Sequence, residues 1–280
     1  MILLATKRKH KDTVFTKLFG NPKNFIELYN AITGSNYPLD TPIEIATLDT
    51  VLFMGRKNDV AFVLDGKIVI LIEHQSTINK NMPLRLFLYV ARIYEQIIDS
   101  DEAIYHHKQL LIPRPEFIVL YNGQTSFPSE KTLKLSDSYI ESNYPSLGGL
   151  LELEVRVVNI NAGQNEDMVQ RSKNLSGYVT FITLVRRYEK AGMKLEDAIT
   201  KAVRECIQRN VLSKFLKTNG AEVLGMLTAE WNWDTAKKVW QKEAKEEDAL
   251  AMIRERLPLD VITRCTGIPL SELKSLQTAE

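Results

Sequence analysis

The chain has 280 residues, 44% hydrophobic and 25% charged, a balance that allows a real core and excludes a disordered or fibrous polymer. Its formal net charge is +1, so no global positive field draws it to a polyanion, and any nucleic-acid surface has to be local.

In chain order, a short apolar run from Met1 to Ala5 precedes Lys7, Arg8, Lys9 and Lys11. That is the wrong order and length for a secretory signal, and no apolar stretch approaches a membrane span, so a cytoplasmic protein with no membrane partner is expected. Residues 12–33 read as one broken helix or two short ones. Phe15, Leu18 and Phe19 form one apolar stripe, Gly20-Asn21-Pro22 interrupts it, and Phe25, Ile26, Leu28, Tyr29 and Ile32 resume it. Gly34 is placed to end that helix.

From Ile43 the period changes. Ile43, Ile45 and Thr47 alternate, Val51 to Met54 is extended, and Val60–Leu64 and Ile68–Ile72 are strands joined at Asp65-Gly66, a hairpin signal. Both hairpin strands are apolar on both faces, which marks a sheet interior covered on each side. Asn81 and Pro83 open a helix with an expected stripe of Leu84, Phe87, Leu88, Ala91 and Ile98. A strand at Phe117–Tyr121 ends at Asn122-Gly123, and another at Leu153–Ile160 follows a loop rich in Ser, Pro and Gly.

Beyond residue 163 the stripes are helical, as in Val179, Ile182 and Val185, then Ala198, Ala202 and Cys206. The two cysteines, Cys206 and Cys265, have neither CxxC nor zinc-ligand spacing and read as reduced structural thiols. Near the C-terminus, Leu259–Thr266 and Ser271–Leu276 read as two short helices around Gly267-Ile268-Pro269, loosely a helix-turn-helix. Basic content there is thin, Arg264 and Lys274 against Asp260 and Glu272, so a helical interaction or dimerisation module is the preferred reading. The expected division is an α/β core over 1–162 and a helical region over 163–280, with the interaction end at about 243–280. No internal repeat is evident.

The chemistry-bearing feature is Asn58-Asp59 and, fourteen residues after the aspartate, Glu73-His74-Gln75. Isolated acids at strand ends are usually solvated. Here Asp59 starts one strand of a buried hairpin and Glu73 ends its partner, so both lie at the same open end. A strict two-residue Asp65-Gly66 loop sets Asp59 opposite Ile72, with Asp59 and Glu73 on opposite sides of the sheet. A three-residue Leu64-Asp65-Gly66 loop with a bulge sets Val63 opposite Lys67 and brings Asp59, Glu73 and Gln75 to one face. That bulge, or an equivalent one elsewhere in the hairpin, is the expectation. Two adjacent carboxylates repel unless a cation lies between them. Mg²⁺, or another hard divalent cation, suits such oxygens, with Asp59 and Glu73 as ligands, the His74 carbonyl as a further candidate and Gln75 orienting an attacking water.

At these residues the chain resembles the Rpn family, bacterial-type recombination-promoting nucleases also described as transposases. The likeness rests on His10-Lys11-Asp12-Thr13-Val14-Phe15, Arg56-Lys57-Asn58-Asp59, Ile72-Glu73-His74-Gln75-Ser76 and Pro115-Glu116-Phe117-Ile118-Val119-Leu120-Tyr121-Asn122-Gly123. The resemblance implies a restriction-endonuclease-like core of the PD-(D/E)XK superfamily, a central mixed sheet flanked by helices. It also implies divalent-metal-dependent cleavage of DNA and a link to recombination or mobile elements. Two positions depart from the superfamily pattern. Asn58 stands where proline is usual, a backbone role, and Gln75 stands where lysine is usual, a replacement Rpn-like sequences share. Glutamine brings a neutral acceptor and donors in place of a charge. The competing reading is a binding protein of a mobile element with weak chemistry or none.

Other candidates carry less. Glu27 could add a metal carboxylate, but a solvated helix acid is the simpler reading, and Asp12 reads equally as a helix cap. Within residues 1–24, Lys7, Arg8, Lys9, Lys11, Lys17 and Lys23 stand against Asp12 alone, the best phosphate-contacting patch in the chain. Arg85 joins it as a backbone guide, with Arg92 seven residues on. The histidines show no metal-ligand spacing. Cutting both strands is compatible with a homodimer, though no pattern marks an interface.

Overall fold

Six strands form one mixed sheet in a computed structural model that describes residues 13–45, 59–74, 79–98, 104–105, 107–140, 151–255 and 257–278. The strands are β1 (Glu44–Ile45), β2 (Asp59–Leu64), β3 (Lys67–His74), β4 (Arg114–Tyr121), β5 (Glu130–Lys134) and β6 (Glu154–Asn159). Their spatial order is β1-β2-β3-β4-β6-β5. β3, β4 and β6 run parallel, while β1, β2 and β5 join antiparallel at the flanks. Parallel strands need both faces covered. Accordingly Ile68, Val69 and Ile70 are all fully buried, although they alternate between faces. The expected α/β core with a central mixed sheet is what the chain forms.

One face packs on α3 (Met82–Ile97), where Met82, Leu86, Tyr89, Val90 and Ile93 meet Ala61, Ile70, Val119 and Val157. The expected stripe of α3 was rotated. Leu84 and Leu88 are 42% and 38% exposed, and the buried face is the one carrying Leu86 and Tyr89. This helix is apolar around most of its circumference, so a 3.6-residue period does not single out one side.

The other face carries α1 (Val14–Phe19) and α2 (Pro22–Thr33). The break between them has a local cause. Thr13 and Thr16 form a capping box that starts α1, and Asn21 caps α2 with Pro22 in its first turn. Gly34 ends α2 at φ 75°, as expected. The Phe25 ring lies 4.4 Å from that of Phe62 on β2. Phe15 and Phe19 pack edge-on against Tyr178 of α5 (Lys173–Lys190) at 6.1 and 6.3 Å.

β5 was not expected. Of its residues only Leu133 is buried, so this edge strand has no apolar alternation to read. After β6 come α4 (Glu166–Arg171), α5, α6 (Leu195–Gln208) and α7 (Ser213–Arg254). The chain divides into two compact units, 1–227 and 228–280, so α4, α5 and α6 belong with the sheet. In the second unit, α8 (Leu259–Thr266) and α9 (Leu270–Thr278) flank Gly267 at φ 72°, around a small core of Ala249, Ile262, Ile268 and Leu273. The expected pair of short helices is there, with Arg264 held 3.3 Å from Asp260. Cys206 is buried, Cys265 is exposed, and both are free thiols. Among the described residues no helix is long and apolar enough to cross a membrane.

Candidate active site

The central hairpin closes in two residues, and the expected bulge is absent. Leu64 pairs with Lys67, and the register runs without interruption to Asp59 opposite Ile72. Asp65 and Gly66 take φ values of 49° and 69°, the left-handed pair that a type I′ turn requires. Aspartate tolerates that region better than most residues, and Tyr37 donates a 3.0 Å hydrogen bond to its Oδ2. The turn therefore needs no third residue. Positions 59 and 73 have opposite parity in this register, so the argument that placed both acids on one face does not survive it.

What the backbone does place together is an end of the sheet. Asp59 is the first residue of β2, and Glu73 lies next to the end of β3, opposite Leu120 of β4. The side chains of Asp59 and Glu73 and the whole of Gln75 lie outside the described residues. Among the described residues no group of three or more His, Cys, Asp and Glu is gathered as a metal would need. Mg²⁺ needs fewer, since it keeps several waters and takes one or two carboxylates. The donor set in the motif suits such an ion.

The strand next to β3 ends in a polar network that the sequence reading missed. Arg186 of α5 donates through Nη1 to Asn122 Oδ1 at 3.1 Å and to Asn161 Oδ1 at 3.0 Å, and through Nη2 to the Asn122 carbonyl oxygen. Asn161 Nδ2 donates to the carbonyl of Gly123 at 3.0 Å. Gly123 is required there, because a Cβ would fall 2.4 Å from the Tyr121 hydroxyl oxygen. Asn122 is 2% exposed, and its Nδ2 is buried without a hydrogen-bond partner among the described residues. A buried donor without a partner is uncommon, which sets this end of the sheet apart from the closed contacts around it. The available signal was an arginine directly after the apolar pair Leu184-Val185 of a buried helix.

Glu27 is neither a metal ligand nor a solvated acid. Its carboxylate accepts from Ser172 Oγ at 2.9 Å and from Asn174 N and Nδ2 at 3.1 and 2.7 Å, which ties α2 to the start of α5. A carboxylate there also suits the positive end of a helix dipole. The expected basic patch is thinner than its composition. Lys7, Arg8, Lys9 and Lys11 lie outside the described residues, and so does Asp12. Lys17 is bound to Glu222 at 2.8 Å. Arg85 is half-buried on α3 and donates to Met82 Sδ at 3.5 Å, while Arg92 pairs with Glu95 at 2.7 Å.

At the opposite, turn end of the hairpin lies a closed cluster. Tyr29 donates to Glu116 Oε2 at 2.7 Å, and Lys67 and Arg114 lie 3.3 and 3.2 Å from Glu116 Oε1. Burial, then the bond to Glu116, pushes the Tyr29 hydroxyl up to about 12. Burial alone would raise the Glu116 carboxyl, but the Tyr29 bond and the Lys67 charge more than offset it and hold it below its usual range. Each group here has a partner, so the cluster reads as a fastening of β3 and β4 to α2.

A mixed sheet with helices on both faces, and an Asp and a Glu at one end of its central hairpin, is an α/β core of the restriction-endonuclease type. The family described as "Putative transposase, YhgA-like" matches residues 59–211, more than half of the chain. The chain belongs to that family, the Rpn/YhgA group of the PD-(D/E)XK superfamily. Membership links it to mobile elements and to DNA. Comparison with curated proteins and with solved structures returns no match.

Proposed function

We propose that the chain is a metal-dependent DNA endonuclease serving recombination or a mobile element. The observation that carries this reading is the arrival of both motif acids, Asp59 and Glu73, at one end of the central hairpin in a chain of this family. Asp59 and Glu73 hold the cation, Mg²⁺ or a close analogue. Bound there, such an ion neutralises charge on a phosphodiester and makes a water more acidic. Gln75 orients that water, and Arg85 with the N-terminal Lys7, Arg8, Lys9 and Lys11 guides the DNA backbone. The reading makes one structural demand. Since positions 59 and 73 differ in parity, the pleat must depart from regular alternation where β2 begins.

A second reading draws on that same register. If the regular pleat continues through residue 58, the acids face apart, and the fold serves as a DNA- or protein-binding accessory of a mobile element. Supercoiled plasmid incubated with wild type and Glu73→Ala, in Mg²⁺ and in EDTA, separates the two. Nicked or linear product from wild type with metal alone supports the nuclease. Intact plasmid across several divalent ions, with DNA binding retained, supports the accessory.

A further inference from the structure

A cavity of about 520 Å³ lies within the first unit, where the α1–α2 turn, the start of α5 and the segment that opens α7 meet. That volume is within the roughly 300–1,000 Å³ of small-molecule sites. The α1–α2 turn sets the cavity beside the open end of the hairpin. A Cβ on Gly20 would fall 3.8 Å from Val60 Cγ1, and Val60 follows Asp59 on β2.

The surrounding elements are fixed by their own contacts. Glu27 binds Ser172 and Asn174 and holds the start of α5 to α2. Asn174 Nδ2 also donates to Asn24 Oδ1 at 3.1 Å, and Asn24 Nδ2 donates to the Leu18 carbonyl at 2.8 Å. On the α7 side, Leu212 is held at φ 46°, where leucine is rarely found. Its side chain is buried against Gly177, where a Cβ would fall 2.8 Å from Leu212 Cγ. The cavity is thus formed before anything enters it.

Its lining is cationic. Lys173 and Lys214 contribute to it, and no Asp or Glu among the described residues does. Elsewhere in this unit Lys17, Lys67 and Arg156 are paired with Glu222, Glu116 and Glu130. Lys173 and Lys214 have no ion-pair partner among the described residues, and there the side chains of Asn210 and Ser213 make no hydrogen bond. Leu18, Leu212 and Phe215 add apolar surface to the same cavity. Unpaired cations, amides and an apolar wall in one place match a ligand that is anionic, hydrogen-bonding and flat-faced. A nucleotide is all three.

We propose that this cavity receives one nucleotide of the DNA strand crossing the open end of the hairpin. Lys173 and Lys214 hold its phosphates, and Phe215 lies against its sugar or base. This rests on the DNA partner of the function proposed above and is independent of the cleavage chemistry. A free nucleotide offers the same groups, but the position beside the start of β2 favours the strand.

The test is binding of the full chain to a labelled DNA duplex with single-stranded ends, in EDTA, across a salt series. Lys173→Gln/Lys214→Gln should bind more weakly, and its slope of log affinity against log salt should be shallower by about 1 for each lysine. The advantage of wild type over this variant should therefore shrink roughly tenfold between about 50 and 200 mM salt. Thr218→Glu, on the lining, and Lys217→Gln, next to it on α7 and outside the lining, make the same change in net charge. Only Thr218→Glu should weaken binding strongly. All four side chains are exposed, so melting temperatures should stay near that of wild type. An unchanged slope in the double variant, or equal losses in Thr218→Glu and Lys217→Gln, overturns the proposal. So does a melting temperature raised by dAMP in wild type alone, with DNA affinity equal in wild type and the double variant, which would assign the cavity to a free nucleotide. Metal-dependent nicking by wild type alongside any of these results leaves the nuclease reading standing. Cavity-dependent DNA binding without nicking removes that reading and keeps this one.

Discussion

The two ends of the β2–β3 hairpin are built from the same kinds of residue and do opposite things. At the turn end, Tyr29, Lys67, Arg114 and Glu116 satisfy one another, and Tyr37 secures Asp65 of the turn. At the open end, Asp59 and Glu73 stand at the limits of their strands, and the adjoining network stops at a donor with nothing to hold among the described residues. A cluster of mixed charge closes on itself and stabilises the fold. The network at the open end does not close on itself in that way, because one buried amide donor has no partner among the described residues. Charged residues therefore mark function here by what their cluster leaves over.

The largest expected effect is at the open end. Glu73→Ala should lower metal-dependent nicking by more than about 100-fold, since loss of a ligand should exceed the 10–100-fold that losing a supporting partner costs. Metal binding gives a second readout. Mg²⁺ should raise the melting temperature of wild type and leave that of Glu73→Ala unmoved. An equal rise in both would remove Glu73 from the site and break the comparison.

The next effect is on stability, at the turn end. Glu116 is about a quarter exposed and accepts from Tyr29 and two cations, so Glu116→Gln should cost about 1.5–3 kcal/mol at neutral pH. The sign in pH follows from its lowered value. The carboxylate contributes fully above the ordinary 4.5, and the contribution is lost as pH falls through the folded value. Urea midpoints of wild type and Glu116→Gln should therefore converge as pH is lowered below 4.5. Parallel curves would show that the ion cluster is not what stabilises this end. Tyr29→Phe should cost about 1.5 kcal/mol, the lower end of that range, since it removes one donor to the carboxylate and one acceptor for Lys67 and keeps the buried ring. Neither variant should alter nicking per folded molecule.

Much of this contrast was legible in the sequence, and the illegible part has a physical reason. The break at Gly20-Asn21-Pro22, the stop at Gly34 and the turn at Asp65-Gly66 are local, set by caps and by residues that accept positive φ. The two acids were visible as a motif, and their strand positions are those expected. The face of α3 was not readable, because most of that helix is apolar. Nor was the turn's length, which depends on whether one aspartate accepts φ 49°. The Arg186–Asn122 contact joins residues 64 apart in sequence, and no local pattern reports it. Glu27 shows the same limit, since its partners lie 145 and 147 residues away.

A last substitution tests whether the two ends are independent. Gly66 sits at φ 69°, and a Cβ there would meet nothing within 4 Å, so Gly66→Ala incurs only the left-handed backbone penalty of about 1–2 kcal/mol. If the register is held by the buried strands, that cost appears in the melting temperature and nicking is unchanged. If the turn itself holds the register, relief comes from admitting a third loop residue, and every position from 59 to 64 changes its partner by one. Such a slip exchanges the faces of β2 and buries a different set of side chains. Val60, Phe62 and Leu64 are at most 5% exposed on one face and Ala61 is fully buried on the other, so a slipped strand would keep both faces apolar. A strand with that symmetry resists slippage less than an amphipathic one. Gly66→Ala is thus the substitution that could move Asp59 to the parity of Glu73. A gain in nicking by Gly66→Ala would show that the regular register restrains the site.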